Sequence, residues 1–219
     1  MKLPLFRTAF VTAAFLCAPV AAHAGTTMTV ETSVYEWVED EGDSADYAIA
    51  EMPELAPALQ SFGPFNVVAA DRAELNGSIE SDTPAQFAAM LRAFPGIRRI
   101  DMIECPGTGD DEANFKVAHM LRKAGISTYV PNGGSVRSGG VELFLAGVTR
   151  HAEPDAEFAV HSWMDTDGME ADDFAEADPV HQPYLAFYRE VGMSPDKAKA
   201  FYDAAMAPLG ASLLHTVPP

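Results

Sequence analysis

A serine and a histidine 23 positions apart carry the residue types with which a chain can break an ester or amide bond. Ser138 precedes Gly139 and Gly140 at the start of an apolar segment, and His161 ends the run Phe158-Ala-Val. A serine hydroxyl is a weak nucleophile that needs an adjacent base, and histidine exchanges protons near neutral pH. We predict that the two residues form such a pair. The alternatives are an N-cap role for Ser138 and a hydrogen-bonded structural role for His161.

The elements that must position this pair alternate between strands and helices. The patterns predict strands over 97–103, 126–130 and 157–161, helices from Asp110 and from Ser138 to about Val148, and a loop over 131–137. A helix that starts at Ser138 would supply N–H donors for an oxyanion, and Gly139 and Gly140 would let a substrate approach or allow tight packing. This alternation predicts an α/β fold with a largely parallel sheet.

The flanking segments have recognisable start and stop signals. Residues 65–70 and 73–79 are predicted to pair as strands around Asp71-Arg72, and Thr83 is predicted as the N-cap of a helix with Pro84 in its first turn. Two helices are predicted near the C-terminus, the second capped by Ser194, and they are followed by a tail over 209–219.

The N-terminus has the composition of a secretory signal peptide. Lys2 and Arg7 precede an apolar run over 10–22, and Ala22-His-Ala24 fits a cleavage site. We predict a signal peptide over 1–24, an N-terminal extension over 25–62, a domain over 63–219, and a periplasmic or secreted protein without a membrane span after cleavage. Lipid attachment at Cys17 is the alternative, which bulky Leu16 disfavours.

The charge and cysteine content exclude several partners. The formal charge is -18, and removal of Lys2 and Arg7 with the leader makes it -20, which disfavours nucleic acid and anionic membranes. Cys105 is then the only cysteine, so no internal disulfide forms. We expect no cofactor. Asp165-Thr-Asp-Gly168 starts like a calcium loop without its closing glutamate, and the histidines lack zinc-site spacing.

A resemblance to a known superfamily rests on a strand, a Pro-Gly turn, a helix, a strand, a serine at a helix start and a histidine at the next strand end. The most specific segments are Ser138-Gly-Gly-Val-Glu-Leu-Phe-Leu-Ala-Gly-Val-Thr-Arg150 and Phe158-Ala-Val-His161. Over roughly 65–206 the chain resembles the Clp protease/crotonase superfamily, and within it exported ClpP-like proteins often labelled alpha/beta hydrolases. No G-x-S-x-G motif surrounds Ser138, which argues against the true α/β-hydrolase fold.

The resemblance implies a ClpP/crotonase-like spiral of ββα units with Ser138 as nucleophile and His161 as base. It also implies that the oxyanion is bound by the Gly139 amide and by an amide among Gly107, Thr108 and Gly109. Thr108 separates two glycines that are usually adjacent in the family, which changes which amide can face an oxyanion.

The residue that would orient the histidine is not fixed by the sequence. The family places an acid shortly before a final strand, but residues 208–215 contain none. Asp203 is the better candidate because it lies nearer the family position, whereas Asp196 is simply explained as a first-turn acid of the last helix. Without such an acid the pair would act as a dyad or would be inactive.

Together these features predict an exported serine hydrolase, a ClpP-like peptidase that acts on a peptide or ester substrate. The resemblance also implies that copies of the chain can assemble into a homo-oligomer. The competing prediction is a catalytically degenerate ClpP-like module that binds a partner or substrate without turnover. Retention of Ser138 and His161 favours the enzyme, and divergence around the acid favours the binding module.

Overall fold

The computed structural model describes residues 52–206 and the backbone of residues 213–215. The predicted signal peptide and most of the predicted N-terminal extension lie outside these residues. The residues described form nine strands: β1 Gln60–Phe62, β2 Phe65–Ala69, β3 Arg72–Asn76, β4 Arg99–Cys105, β5 Ser127–Val130, β6 Ser135–Arg137, β7 Arg150–Ala152, β8 Glu157–Ala159 and β9 Leu213–His215. The same part of the chain contains five α-helices: α1 Thr83–Ala93, α2 Asp111–Lys123, α3 Gly140–Ala146, α4 Gln182–Glu190 and α5 Pro195–Ala205.

The nine strands form one sheet with a parallel centre. The main order is β1-β2-β3-β4-β6-β8-β9, and β5 and β7 extend the same sheet beside β4. The pairs β3–β4, β4–β6 and β6–β8 are parallel, whereas β1–β2, β2–β3 and β8–β9 are antiparallel. The predicted α/β fold with a largely parallel sheet and ββα units is therefore confirmed.

At two positions in the sheet, two short strands in succession take the place of one long strand. β5 pairs with the first half of β4, and β6 pairs with its second half, so the chain runs twice along the same neighbour. The connection between them contains a turn in which the Gly134 N–H donates to the Pro131 carbonyl at 2.9 Å. β7 and β8 repeat the arrangement beside β5 and β6. This repetition gives the ββα order that the family resemblance implies.

The helices begin where local chemistry satisfies their free N–H groups. The Asp110 side chain accepts from the Ala113 N–H at the start of α2, and Ser194 caps α5 by accepting from the Lys197 N–H. At α1 the N-cap is Asp82 rather than the predicted Thr83, whose hydroxyl accepts from the Glu80 N–H instead. Among residues 52–206, no helix has the length and hydropathy needed to cross a bilayer.

Helix α4 packs against α2 through a cluster of aromatic side chains. Phe115 of α2 has its ring centroid 5.0 Å from that of Tyr184 and 5.3 Å from that of Phe187. Phe187 and Tyr188 are both almost fully buried. This aromatic cluster fixes α4 so that its tyrosine hydroxyls point to acids on α2 and α3.

Several predicted boundaries near the candidate site were wrong. The predicted loop over 131–137 contains β6, and the predicted helix from Ser138 to Val148 is only Gly140–Ala146, with Gly139 as its N-cap. The predicted strand over 157–161 ends at Ala159, so His161 lies beyond β8. β7 was not predicted, and β9 lies in the predicted tail. Three-residue strands carry too little alternation to be recognised locally, because their pairing partners are distant in the sequence.

Candidate active site

The segments that carry the predicted site follow the carboxyl ends of three adjacent parallel strands. Gly107–Gly109 follow β4, Ser138 and Gly139 follow β6, and His161 follows β8. Registers between Cys105 and Val136, and between Arg137 and Ala159, align these strand ends. In open α/β sheets this edge is where ligands bind. The sheet topology therefore brings together residues that are more than 50 positions apart in the sequence.

Ser138 occupies a backbone conformation that L-residues rarely adopt. Its φ is 49°, the only positive φ of a non-glycine residue in the described part of the chain. Its N–H donates to the Ala159 carbonyl at 2.8 Å, and its carbonyl accepts from the Val141 N–H at 2.9 Å. Left-handed backbone costs a serine about 1–2 kcal/mol, and such strain concentrates at functional sites. A strained strand-to-helix turn also exposes the nucleophilic serine in hydrolases of another fold.

Ser138 and His161 line one small cavity of about 30 Å³. Gly139, Glu142, Trp163 and Asp111 also line it, together with residues from α4 and α5. Ser138 is half-buried and His161 is exposed, and no hydrogen bond joins their side chains. Catalytic hydrogen bonds often shorten only when substrate binds, so this arrangement is compatible with a nucleophile and its base.

His161 is oriented by a backbone carbonyl. Its Nδ1 lies 2.7 Å from the carbonyl oxygen of Ser162. Because a carbonyl oxygen only accepts, Nδ1 must carry the proton, and Nε2 of the neutral ring is then the free acceptor. A main-chain carbonyl, rather than the predicted carboxylate, therefore faces Nδ1 of His161. Sequence offers no signal for a contact of this kind.

The segment after His161 is held by hydrogen bonds to the rest of the domain. The buried Ser162 hydroxyl accepts from the Ala171 N–H at 3.1 Å. The Trp163 indole N–H donates to the Tyr202 hydroxyl at 3.0 Å, and that hydroxyl lies 2.7 Å from Nδ1 of His181. These contacts fix the backbone on which His161 is mounted.

The glycines of the site are required by close packing. A Cβ on Gly107, whose φ is 123°, would lie 2.7 Å from Cβ and 3.2 Å from Oγ of Ser138. A Cβ on Gly139 would lie 2.6 Å from Cγ2 of Thr108. The side-chain amide of Asn114 donates to the carbonyl oxygen of Gly139 at 2.8 Å. Tight packing, the alternative explanation for Gly139 and Gly140, is therefore observed. The turn after β4 packs closely against Ser138.

The predicted oxyanion donors differ in availability. The N–H of Gly109 donates to the Ile79 carbonyl at 3.1 Å, so it is already used. Within the described part of the chain, no main-chain acceptor takes the N–H of Gly107, Thr108 or Gly139. Of these, Gly139 lines the cavity. Gly139 is therefore the candidate donor that lines the cavity with Ser138, and Gly107 packs closely against Ser138.

Asp203, the predicted orienting acid, lies elsewhere. It is exposed on α5, where both carboxylate oxygens accept from Lys199 Nζ, at 2.9 and 2.7 Å. It borders a second cavity of about 420 Å³, which Lys199 and Glu176 also line. Asp196 is exposed in the first turn of α5. The structure therefore does not bring Asp203 together with Ser138 and His161.

Two other acids reach the cavity, and sequence reasoning missed both. Glu142 of α3 is 6% exposed and accepts from the Tyr188 hydroxyl at 2.6 Å. Burial raises the pKa of Glu142 from 4.5 to about 7. Asp111 of α2 accepts from the Tyr184 hydroxyl at 2.8 Å, and burial raises the pKa of Tyr184 well above its usual range. The signal for Glu142 was available, because it is the one charged residue in the apolar segment 140–146.

The possible metal loop is used as a turn. Asp165 Oδ1 accepts from the N–H groups of Asp167 and Met169, at 2.8 and 2.9 Å. In the described residues, no group of three or more His, Cys, Asp or Glu side chains is arranged to hold a metal ion.

Comparison with known proteins gives distant structural similarities only. The chain matches no protein-family model, and no curated protein matches it significantly. Among solved structures it is similar to the 1510-N membrane-bound stomatin-specific protease with a substrate peptide, at 17% identity and a TM-score of 0.44 over 65% of this chain and 67% of that one. ClpP1 from Listeria monocytogenes shares 18% identity at a TM-score of 0.45, over 65% and 85% of the two chains. The ClpP catalytic domain from Plasmodium falciparum shares 12% at 0.46, over 65% and 75%. At TM-scores below 0.5, these similarities establish neither an activity nor a site in this chain.

Proposed function

We propose that the chain is a serine hydrolase, a ClpP-like peptidase in which Ser138 is the nucleophile and His161 the base. The observation that carries the proposal is the placement of a strained Ser138 beside a cavity that His161 also lines, with Nδ1 of His161 tied to a carbonyl. A free Nε2 is what a general base needs. A serine that only capped a helix would not need a left-handed backbone.

In the acylation step, Ser138 Oγ attacks the carbonyl carbon of the substrate while Nε2 of His161 takes the hydroxyl proton. The carbonyl oxygen becomes an oxyanion, which accepts from the Gly139 N–H and from an amide of the turn after β4. When the bond to the leaving group breaks, the imidazolium returns its proton to the departing amine or alcohol. The acyl group is then esterified to Ser138.

Deacylation repeats the sequence with water. His161 takes a proton from water as its oxygen attacks the acyl carbon, and the proton returns to Ser138 Oγ as the ester bond breaks. The Ser162 carbonyl stabilises the imidazolium less than a carboxylate would, because it carries only a partial charge. Loss of the orienting carboxylate costs about four orders of magnitude in rate in a serine protease. We therefore expect a slow enzyme.

The second candidate function is a ClpP-like module that binds a peptide without turnover. It is favoured by one observation, which is that Asp203 pairs with Lys199 rather than with His161. The two candidates differ in whether Ser138 reacts. A nucleophile test therefore separates them without knowledge of the natural substrate.

The deciding experiment is labelling with a fluorophosphonate probe, which forms a covalent bond to an activated serine. We expect labelling of the wild type, none in Ser138→Ala, and a rate at least about 100-fold lower in His161→Ala. The matched controls are Ser81→Ala and His151→Ala, which change an exposed serine and an exposed histidine that do not line the cavity. Folded wild type that never reacts would favour the binding module.

We also propose that the chain is exported and cleaved after Ala24, as its N-terminal composition indicates. The test is N-terminal sequencing of the protein recovered from the periplasm or medium of a bacterial host. A mature chain that starts at Gly25 supports the proposal. A cytoplasmic chain that retains Met1 would contradict it.

A further inference from the structure

The cavity beside Ser138 has a charge that the hydrolysis mechanism does not use. Among the described residues that line it, Glu142 and Asp111 are acids and none is a lysine or arginine. Glu142 is more than nine-tenths buried, and burial alone would favour its neutral form. A buried carboxylate is costly unless a cation or donors compensate it. The Tyr188 hydroxyl supplies one donor, but no protein cation faces this cavity within the described chain.

The cavity is too small for most side chains. A volume of about 30 Å³ accommodates two or three groups of the size of water, since each needs roughly 10–15 Å³. An ammonium group has this size and carries the complementary charge. A lysine or arginine side chain is much larger, so the size of the cavity argues against an ordinary side-chain specificity pocket.

We propose that this cavity receives the free α-ammonium group of the substrate, so that the enzyme hydrolyses bonds next to an unblocked amino end. In an amino-terminal residue the ammonium nitrogen lies about 2.5 Å from the carbonyl carbon, as the bond lengths dictate. A carbonyl attacked by Ser138 therefore carries its ammonium group into the space next to Ser138. Glu142, about one helical turn further along the chain, also lines that space.

The two acids have different places in this arrangement. Glu142 lies inside and is held by Tyr188, whereas Asp111 is exposed overall and is held by Tyr184. The tyrosine hydroxyls each donate to one carboxylate oxygen, and this fixes both carboxylates on the cavity wall. We expect Glu142 to contribute most to selection of the ammonium group, with Asp111 as a weaker second contact.

This inference rests on the proposed function but can be tested without turnover. Trp163 lines the cavity, so its fluorescence reports occupancy, and a Trp37→Phe background makes it the only tryptophan. L-alaninamide and N-acetyl-L-alaninamide are titrated as probes, because they differ only in the charge and size of the amino end. We expect the free amine to bind at least about ten-fold more tightly than the acetylated amide.

The variants assign the selectivity to named residues. Glu142→Gln keeps the size and the acceptor for Tyr188, and it should abolish the preference for the free amine. Asp111→Asn should reduce it by a smaller factor and serves as the second variant if Glu142→Gln folds poorly. Glu112→Gln, an exposed neighbour that pairs with Lys116, should leave it unchanged.

The outcomes separate this inference from the proposed hydrolase. Equal binding of the two amides to the wild type, or a preference that survives both acid variants, overturns the ammonium site even where the fluorophosphonate labels Ser138. A preference that is lost in Glu142→Gln supports the ammonium site. If the same wild type does not react with the fluorophosphonate, the site remains but belongs to a binding module, and only the hydrolase is overturned.

Discussion

Replacing Glu142 with glutamine is expected to change the free energy of unfolding, relative to the wild type, more favourably at pH 8 than at pH 5.5. The folded protein holds the pKa of Glu142 at about 7, raised from 4.5 chiefly by burial. Between pH 4.5 and about pH 7 the carboxyl group of the folded chain binds a proton that the unfolded chain has released. Stability from this group is therefore fully present below pH 4.5 and is lost as the pH rises through about 7.

The size of the effect follows from the shift. A raise of about 2.5 pKa units corresponds to about 3 kcal/mol, since each unit is worth about 1.4 kcal/mol. About 2 kcal/mol of this falls between pH 5.5 and pH 8. The lower limit is set at 5.5 because the isoelectric point is about 4.5, where low net charge promotes precipitation. Tyr184 and Tyr188, whose pKa values are raised by burial, do not titrate in this window.

The assay is urea denaturation of the wild type and Glu142→Gln, followed by circular dichroism at both pH values. The glutamine variant should gain about 2 kcal/mol in unfolding free energy, relative to the wild type, between pH 5.5 and pH 8. Glutamine retains an acceptor for the Tyr188 hydroxyl, so the comparison isolates the ionisation. Glu112→Gln, an exposed acid, should show no such difference. A change below about 0.5 kcal/mol for Glu142→Gln would refute the reasoning.

Three further outcomes are expected. Gly107→Ala should destabilise the protein by about 1–3 kcal/mol and abolish fluorophosphonate labelling, because the new Cβ would lie 2.7 Å from Cβ of Ser138. Thermal denaturation and labelling test this, and a variant as stable and as fully labelled as the wild type would contradict it. The Cys105 thiol, whose pKa is raised by burial, should resist Ellman's reagent until the chain unfolds, as mass spectrometry of its peptide would show. Trp163→Phe should lower the free energy of unfolding by about 1–3 kcal/mol, because it removes the indole N–H that donates to the Tyr202 hydroxyl. It should also slow fluorophosphonate labelling of the folded variant, and unchanged labelling would refute a positioning role.

The local structure that sequence predicts correctly has local causes. β2 and β3 pair as predicted, with the turn at Ala70 and Asp71, one residue earlier than the predicted Asp71-Arg72, and Ser194 caps α5 as expected. Each depends on residues within one or two turns of each other, so the signal is contained in a short window. β6 and β7 were missed because three residues become a strand only through neighbours that are distant in the chain.

The candidate site was predictable in part for the same reason. Ser138 and His161 were identified from residue type and spacing, and the order of parallel strands explains why they line one cavity. The left-handed φ of Ser138 had no local signal, since glycine is the residue expected there. The partner of His161 is a main-chain carbonyl, which every residue has, so no sequence could mark it.

The energetic cost of this site argues that it is more than a consequence of packing. Ser138 holds a strained backbone, and Glu142 keeps a carboxyl group where burial raises its pKa to about 7. Both costs fall on the wall of one cavity of about 30 Å³. Local conflicts of this kind are expected where function opposes stability, and a fold that needed only a packed helix start would use glycine and leucine at these two positions. The same comparison gives a direct test, because Ser138→Gly and Glu142→Leu should relieve strain and burial cost respectively while removing the nucleophile and the proposed ammonium contact.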